Sequence, residues 1–85
     1  MPRLDRNQTR FKALGIELYG PEGWQREFAR ATGLSHQLVN FIANGDRAVT
    51  GAVRTRVILG LHDEVKRLRN RAAAVAAAVR DYQIE

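Results

Sequence analysis

Few side chains in this 85-residue chain could make or break a covalent bond. With no cysteine, disulfides and thiolate metal sites are excluded. The two histidines, His36 and His62, stand far apart on different helical segments. Asp63 and Glu64 are adjacent, so on a helix their side chains diverge, and they read as solvated charge. No carboxylate pair or Gly-rich phosphate loop is present. These residues argue against an enzyme, and no cofactor, metal or small-molecule ligand is expected. What the chain does carry is hydrogen-bonding and cationic chemistry. The carboxamides of Gln37 and Asn40 each set a donor beside an acceptor, a pair that matches the edge of adenine. His36 can donate to guanine or to a phosphate. Fourteen basic residues oppose nine acidic ones, a net charge of +5, and twelve of the fourteen are Arg. Arg binds phosphate bidentately and reads guanine, so the excess suits a polyanionic partner, with a solvated surface as the plain alternative.

These side chains need elements to hold them. Phe11, Leu14 and Leu18 recur at three and four residues and predict a first helix from about Asp5 or Asn7 to Tyr19, its stripe widened by Ile16 and Tyr19. Before it, residues 1–7 read as a mobile arm. Gly20-Pro21-Glu22-Gly23 is a turn. Trp24, Phe28 and Ala31 predict a short second helix, with Trp24 in the core. Gly33 can supply the positive φ of a sharp turn, and Ser35 caps a third helix that ends at Asn44-Gly45. Thr50 caps the last helix, read as continuous to Tyr82 because the apolar pattern keeps its phase through Gly60. No segment alternates with period two. The fold expected is all-α: a compact helix-turn-helix bundle of four helices, or five if the last breaks at Gly60, with a long C-terminal helix.

Residues 25–42 carry a specific spacing. Ala29 precedes Gly33 by four, and Phe28, Leu34, Val39 and Ile42 are the apolar positions. A small Ala29 lets two helices cross closely, Gly33 makes the turn, and the four apolar side chains lock the second helix across the first. The segment resembles the helix-turn-helix of the phage repressor and Cro-like family, also called lambda-repressor-like or XRE-type. Ala43-Asn44-Gly45-Asp46-Arg47 resembles the polar turn that follows the recognition helix there, and Leu18-Tyr19-Gly20-Pro21 with Trp24 resembles a group of short bacterial regulators. The likeness covers about residues 11–61. Thr32 departs from it, standing where the family prefers an aliphatic residue, as does Phe41, where a polar reader is common.

By position, the resemblance implies that Ser35, His36, Gln37, Asn40 and Phe41 read bases. Phe41 fits two roles, a contact to thymine methyl groups or a core position beside Leu38. Gln25 would meet the DNA backbone at a helix N-terminus. Asn44 and Arg47 are the strongest phosphate candidates, with Arg26, Arg54 and Arg56 behind them. Arg3, Arg6 and Arg10 read as a basic tail or a minor-groove arm.

The last helix has its own logic. Ile58, Leu61, Val65, Leu68, Ala72, Val75, Val79 and Tyr82 keep strict heptad spacing, the stripe of a helix that packs on one partner helix. Residues 1–57 are therefore expected to form the DNA-binding domain, and 58–85 a dimerisation helix continuous with it. The pattern leaves parallel and antiparallel pairing open. Together these readings predict a homodimeric, sequence-specific transcriptional regulator of bacterial or phage type, a repressor on a palindromic double-stranded operator. A cytoplasmic, nucleoid location and no membrane contact are expected. The competing readings are a protein-interaction module using the long helix, antitoxin-like or a regulator's partner, and a non-specific nucleoid binder.

Overall fold

The computed structural model describes residues 3–84; Met1 and Pro2 of the expected arm, and Glu85, lie outside the described residues. Four helices follow in order: α1 (Arg6–Tyr19), α2 (Trp24–Thr32), α3 (His36–Ala43) and α4 (Gly51–Ile84). Among the described residues there is no strand. The fold is the all-helical bundle the sequence predicts, and α4 runs unbroken through Gly60.

Each short helix is delimited by local chemistry. The arm is shorter than expected, because Arg6 and Asn7 already belong to α1. Asp5 and Gln8 close a capping box: the Gln8 N–H donates to Asp5 Oδ1 at 2.7 Å, and the Asp5 N–H donates to Gln8 Oε1 at 2.8 Å. Two orphan amides of the first turn are satisfied at once, which fixes the start of the helix. Gly33 ends α2 at φ 71°, the left-handed conformation that lets the chain reverse within three residues. Ser35 then caps α3, its hydroxyl accepting the Leu38 N–H at 3.1 Å, and Thr50 caps α4 by accepting from Val53 at 3.2 Å.

The core is aromatic at its centre. Phe11, Trp24 and Phe28 meet edge to face, with Phe11 and Phe28 centroids 4.8 Å apart. Edge-to-face pairs add stabilisation beyond the area they bury. Ala29, Val39, Ile42, Ala43 and Val53 complete the buried apolar set, with Leu34, Leu38, Val57 and Leu61 packed around it. The face that α1 buries differs from the Phe11-Leu14-Leu18 stripe. Gln8, Phe11 and Gly15 are buried, whereas Leu14 is 39% exposed. Gly15 is the reason: a Cβ there would lie 3.0 Å from Trp24 Cδ2 and closer still to two other ring atoms. The indole therefore takes the space beside Gly15 and turns Leu14 outward. Thr32, which stands where the resembled family prefers an aliphatic residue, is buried with its hydroxyl donating to the Phe28 carbonyl at 2.7 Å, so it carries no unmet polar group.

α4 packs on α2. This packing extends past the expected boundary at Val57, through Gly60 and Leu61 to Glu64. Beyond Leu68 the helix is exposed on nearly every side and gives the molecule its 55 Å long axis. No helix among the described residues is long and apolar enough to cross a membrane.

Candidate nucleic-acid interface

α3 is oriented by its apolar side. Val39 and Ile42 are fully buried against Phe28 and the α1 face, which turns the opposite side of the helix outward. That outer side carries Ser35, His36 and Gln37, all exposed, followed by the half-buried Asn40 and Phe41. Leu38 packs against the core, whereas Phe41, one turn further along the same flank of α3, does not. All five candidate readers thus sit on the N-terminal turn and flank of one short, rigidly packed helix.

Phe41 instead packs with Arg47. The guanidinium carbon lies 5.8 Å from the ring centroid, within the range of a cation–π contact. The Phe41 carbonyl also accepts the N–H groups of Asp46, at 2.8 Å, and Arg47, at 3.3 Å. On its other side, the Arg47 carbonyl accepts a hydrogen bond from the Nε2 of Gln8 at 2.8 Å. Gln8 is 5% exposed, and its remaining amide oxygen is taken by the capping box. Arg47 is therefore held through its N–H, its carbonyl and its guanidinium while its side chain stays at the surface. The role of Gln8 could not be read from periodicity, since a glutamine on an apolar stripe looks like an interruption. Its one local signal was the Asp5-x-x-Gln8 spacing of the capping box.

The remaining candidates are more scattered. Gln25 is half-buried and Arg26 exposed, both on the first turn of α2. Asn44 is exposed and forms the C-cap of α3, its N–H donating to the Asn40 carbonyl at 3.0 Å. Trp24 is 1% exposed and belongs to the core. Arg56 reaches from α4 to the Gly33 carbonyl at 3.4 Å, which ties the turn to the last helix. Arg54 borders a different feature, a groove of about 210 Å³ between α1 and α4, opposite Arg10. Among the described residues no three His, Asp or Glu side chains gather as metal ligands would.

One polar cluster escapes the sequence reading altogether. Glu64 is 4% exposed rather than solvated. It accepts hydrogen bonds from Tyr19 at the end of α1, from Arg30 of α2 at 2.8 Å, and from Arg67 of α4 at 2.6 Å. The three helices meet on this one carboxylate. The Arg67 hydrogen bond, with those of Tyr19 and Arg30, outweighs burial and lowers its pKa to about 2.

No known protein family, curated protein or solved structure matches this chain.

Proposed function

We propose that the chain is a sequence-specific DNA-binding regulator, a homodimer that represses from an inverted-repeat operator. The observation that carries this reading is the outward face of α3, with Arg47 anchored beside it. A short helix locked by Val39 and Ile42 presents Ser35, His36, Gln37 and Asn40 together, as entry into a major groove requires. Arg47, its backbone held by Gln8 and its guanidinium resting over Phe41, offers a cation with less freedom to lose on binding than an untethered side chain. In this reading Gln37 and Asn40 hydrogen-bond to base edges, Phe41 touches thymine methyl groups beyond its contact with Arg47, and Gln25, Arg26, Asn44 and Arg47 supply backbone contacts, while Arg54 faces the α1–α4 groove. No catalytic step is assigned to any residue.

Selection from a random duplex library at about physiological salt tests the proposal. Recovered sequences should converge on an inverted repeat with half-sites about one helical turn apart. Retention without convergence would instead identify a non-specific binder. No retention would favour the interaction-module reading, which the uncovered apolar side chains Ile58 and Val65 on α4 support.

On the selected site, Gln37→Ala and Asn40→Ala should each lose about 1–3 kcal/mol of discrimination at one base position, measured by competition against single-base variants. Equal losses on every sequence would remove these residues from base reading. Arg47→Ala should behave differently, weakening all sequences alike and lowering the slope of log K against log salt by about 0.9. Gln8→Leu leaves the guanidinium in place but frees the Arg47 carbonyl, so affinity should fall while the salt slope keeps its value. An unchanged slope for Arg47→Ala would exclude the phosphate contact.

A further inference from the structure

Resting on the homodimer proposed above and on the heptad stripe of α4, we propose that two copies of this chain pair antiparallel through α4 about a two-fold axis at Asn70, each Tyr82 seated in the α1–α4 groove of the other copy. The heptad stripe has this symmetry built into it. Antiparallel pairing about residue 70 sets Ile58 opposite Tyr82, Val65 opposite Val75, Leu68 opposite Ala72, and the remaining exposed edge of Leu61, otherwise packed on its own core, opposite Val79. Every layer then joins a residue of the proximal half to one of the distal half. The smallest side chain, Ala72, meets Leu68 and Val79 meets the larger Leu61, while Val65 and Val75 are matched in size, as interlocking layers require.

The groove lies where this register needs it. It is floored by Phe11, Leu14, Val57 and Ile58 and edged by Arg10 and Arg54, and its Ile58 wall begins the heptad stripe. Tyr82 is 84% exposed and Ile58 62%, so both members of the terminal layer lack cover within the chain. Tyr82 cannot reach the groove of its own chain, because an unbroken helix holds it ~36 Å away along α4. From a second copy, its ring meets the apolar floor and its hydroxyl lies between the two guanidinium groups, the amphipathic fit that favours tyrosine at interfaces. The contact is made twice, as an isologous interface demands.

The register also sets the distance between the two reading domains. α4 crosses α2 at Gly60, ten residues from the axis, so the two crossings stand ~30 Å apart along the helix pair. That is close to the ~34 Å between half-sites one turn apart on DNA. Parallel pairing puts no such spacer between the domains. The same register gathers Arg69 and Arg71 of both copies around the axis, a like-charge cost that salt screens.

Since the chain has no native cysteine, crosslinking reads the register directly. Val65→Cys and Val75→Cys, both at half-exposed positions, are made in separate full-length chains carrying different tags, mixed, and oxidised. The mixed disulfide should dominate, because each self-pair would lie ~15 Å apart, beyond the ~7 Å limit for a disulfide. In sedimentation the uncrosslinked protein should be a dimer, and Tyr82→Ala should weaken it about tenfold or more. Self-linked products in place of the mixed one would overturn the antiparallel register while leaving a dimer through α4. A monomer at tens of micromolar with no crosslink would overturn both the register and the α4 pairing. Neither result bears on DNA binding by a single copy, which the library selection reads independently.

Discussion

Gly60→Ala should lower the stability of this protein by about 2 kcal/mol, although helix propensity alone argues the opposite. Replacing an interior glycine by alanine stabilises an isolated helix by about 1 kcal/mol, and Gly60 lies in the middle of one. But α4 crosses α2 at this point. A Cβ at Gly60 would sit 2.8 Å from Thr32 Cα and closer still to the Ala31 carbonyl oxygen. Both are backbone atoms, and no rotamer change moves them aside. Helix separation must increase, which loosens Leu61 and Val57 on the core and strains the hydrogen bonds to Glu64. Overpacking of this kind costs about 1–3 kcal/mol for one methyl group, and more where backbone is the obstacle. In a domain of this size the midpoint temperature should fall by about 10 °C. Gly60→Val, with two more carbons, should detach α4 from α2 while leaving α4 itself helical. Gly51→Ala, where no atom approaches within 4 Å, is the control and should be neutral or slightly stabilising. Thermal unfolding of the three variants decides the matter, and a Gly60→Ala protein as stable as the parent would show that α4 does not cross α2 here.

Gly60 illustrates which parts of the fold were legible in the sequence. Read along the chain it is a possible helix breaker, whereas in the structure it is the contact point between two helices. Features set by neighbouring residues were legible: the Ser35 and Thr50 caps, the turn at Gly33, and the period of α3 that turns Gln37 outward. Features set by distant partners were not. Periodicity counts apolar side chains, so it selected Leu14 and passed over Gly15, whose burial is dictated by Trp24 on another helix. Gln8 and Glu64 are polar residues inside the packed body; only the Asp5-x-x-Gln8 capping-box spacing marks Gln8 locally, and nothing local distinguishes Glu64 from a solvated charge. Their partners, Arg47 for Gln8 and both Tyr19 and Arg30 for Glu64, lie 34 to 45 positions away. The candidate site divides along the same line. The face of α3 followed from a helical repeat, but the bracing of Arg47 by Gln8 and Phe41 needed the tertiary structure.

Glu64→Gln should destabilise the protein by about 2–3 kcal/mol at neutral pH, and the loss should disappear in acid. Glutamine keeps the shape of the side chain and removes its charge. Breaking a buried ion pair costs about 3–5 kcal/mol when the remaining charge is fully buried. Here Arg30 and Arg67 are about half exposed and can turn to water, so the cost is smaller. The pH dependence follows from the depressed pKa. In the folded protein Glu64 titrates at about 2, held there first by the Arg67 hydrogen bond and then by those of Tyr19 and Arg30, against burial. In the unfolded chain it returns to its ordinary value of 4.5. A carboxylate lowered on folding contributes stability that is complete above the unfolded pKa and lost as pH falls through the folded one. The gap between parent and Glu64→Gln, measured by urea unfolding, should therefore be constant from pH 7 to about 5. It should narrow below about 4.5 and close near pH 2. Tyr19 contributes in the opposite sense. Burial first, and then its hydrogen bond to Glu64, push it up to about 12. Its contribution is complete below 10 and lost as pH rises through 12. The cluster is thus stabilising across the whole neutral range, which suits a joint rather than a switch. Because Glu64 is the last polar anchor before α4 leaves the body, its loss should also loosen the angle at which the distal half projects. A gap that stayed constant down to pH 2 would show that Glu64 does not hold the three helices together as an ion.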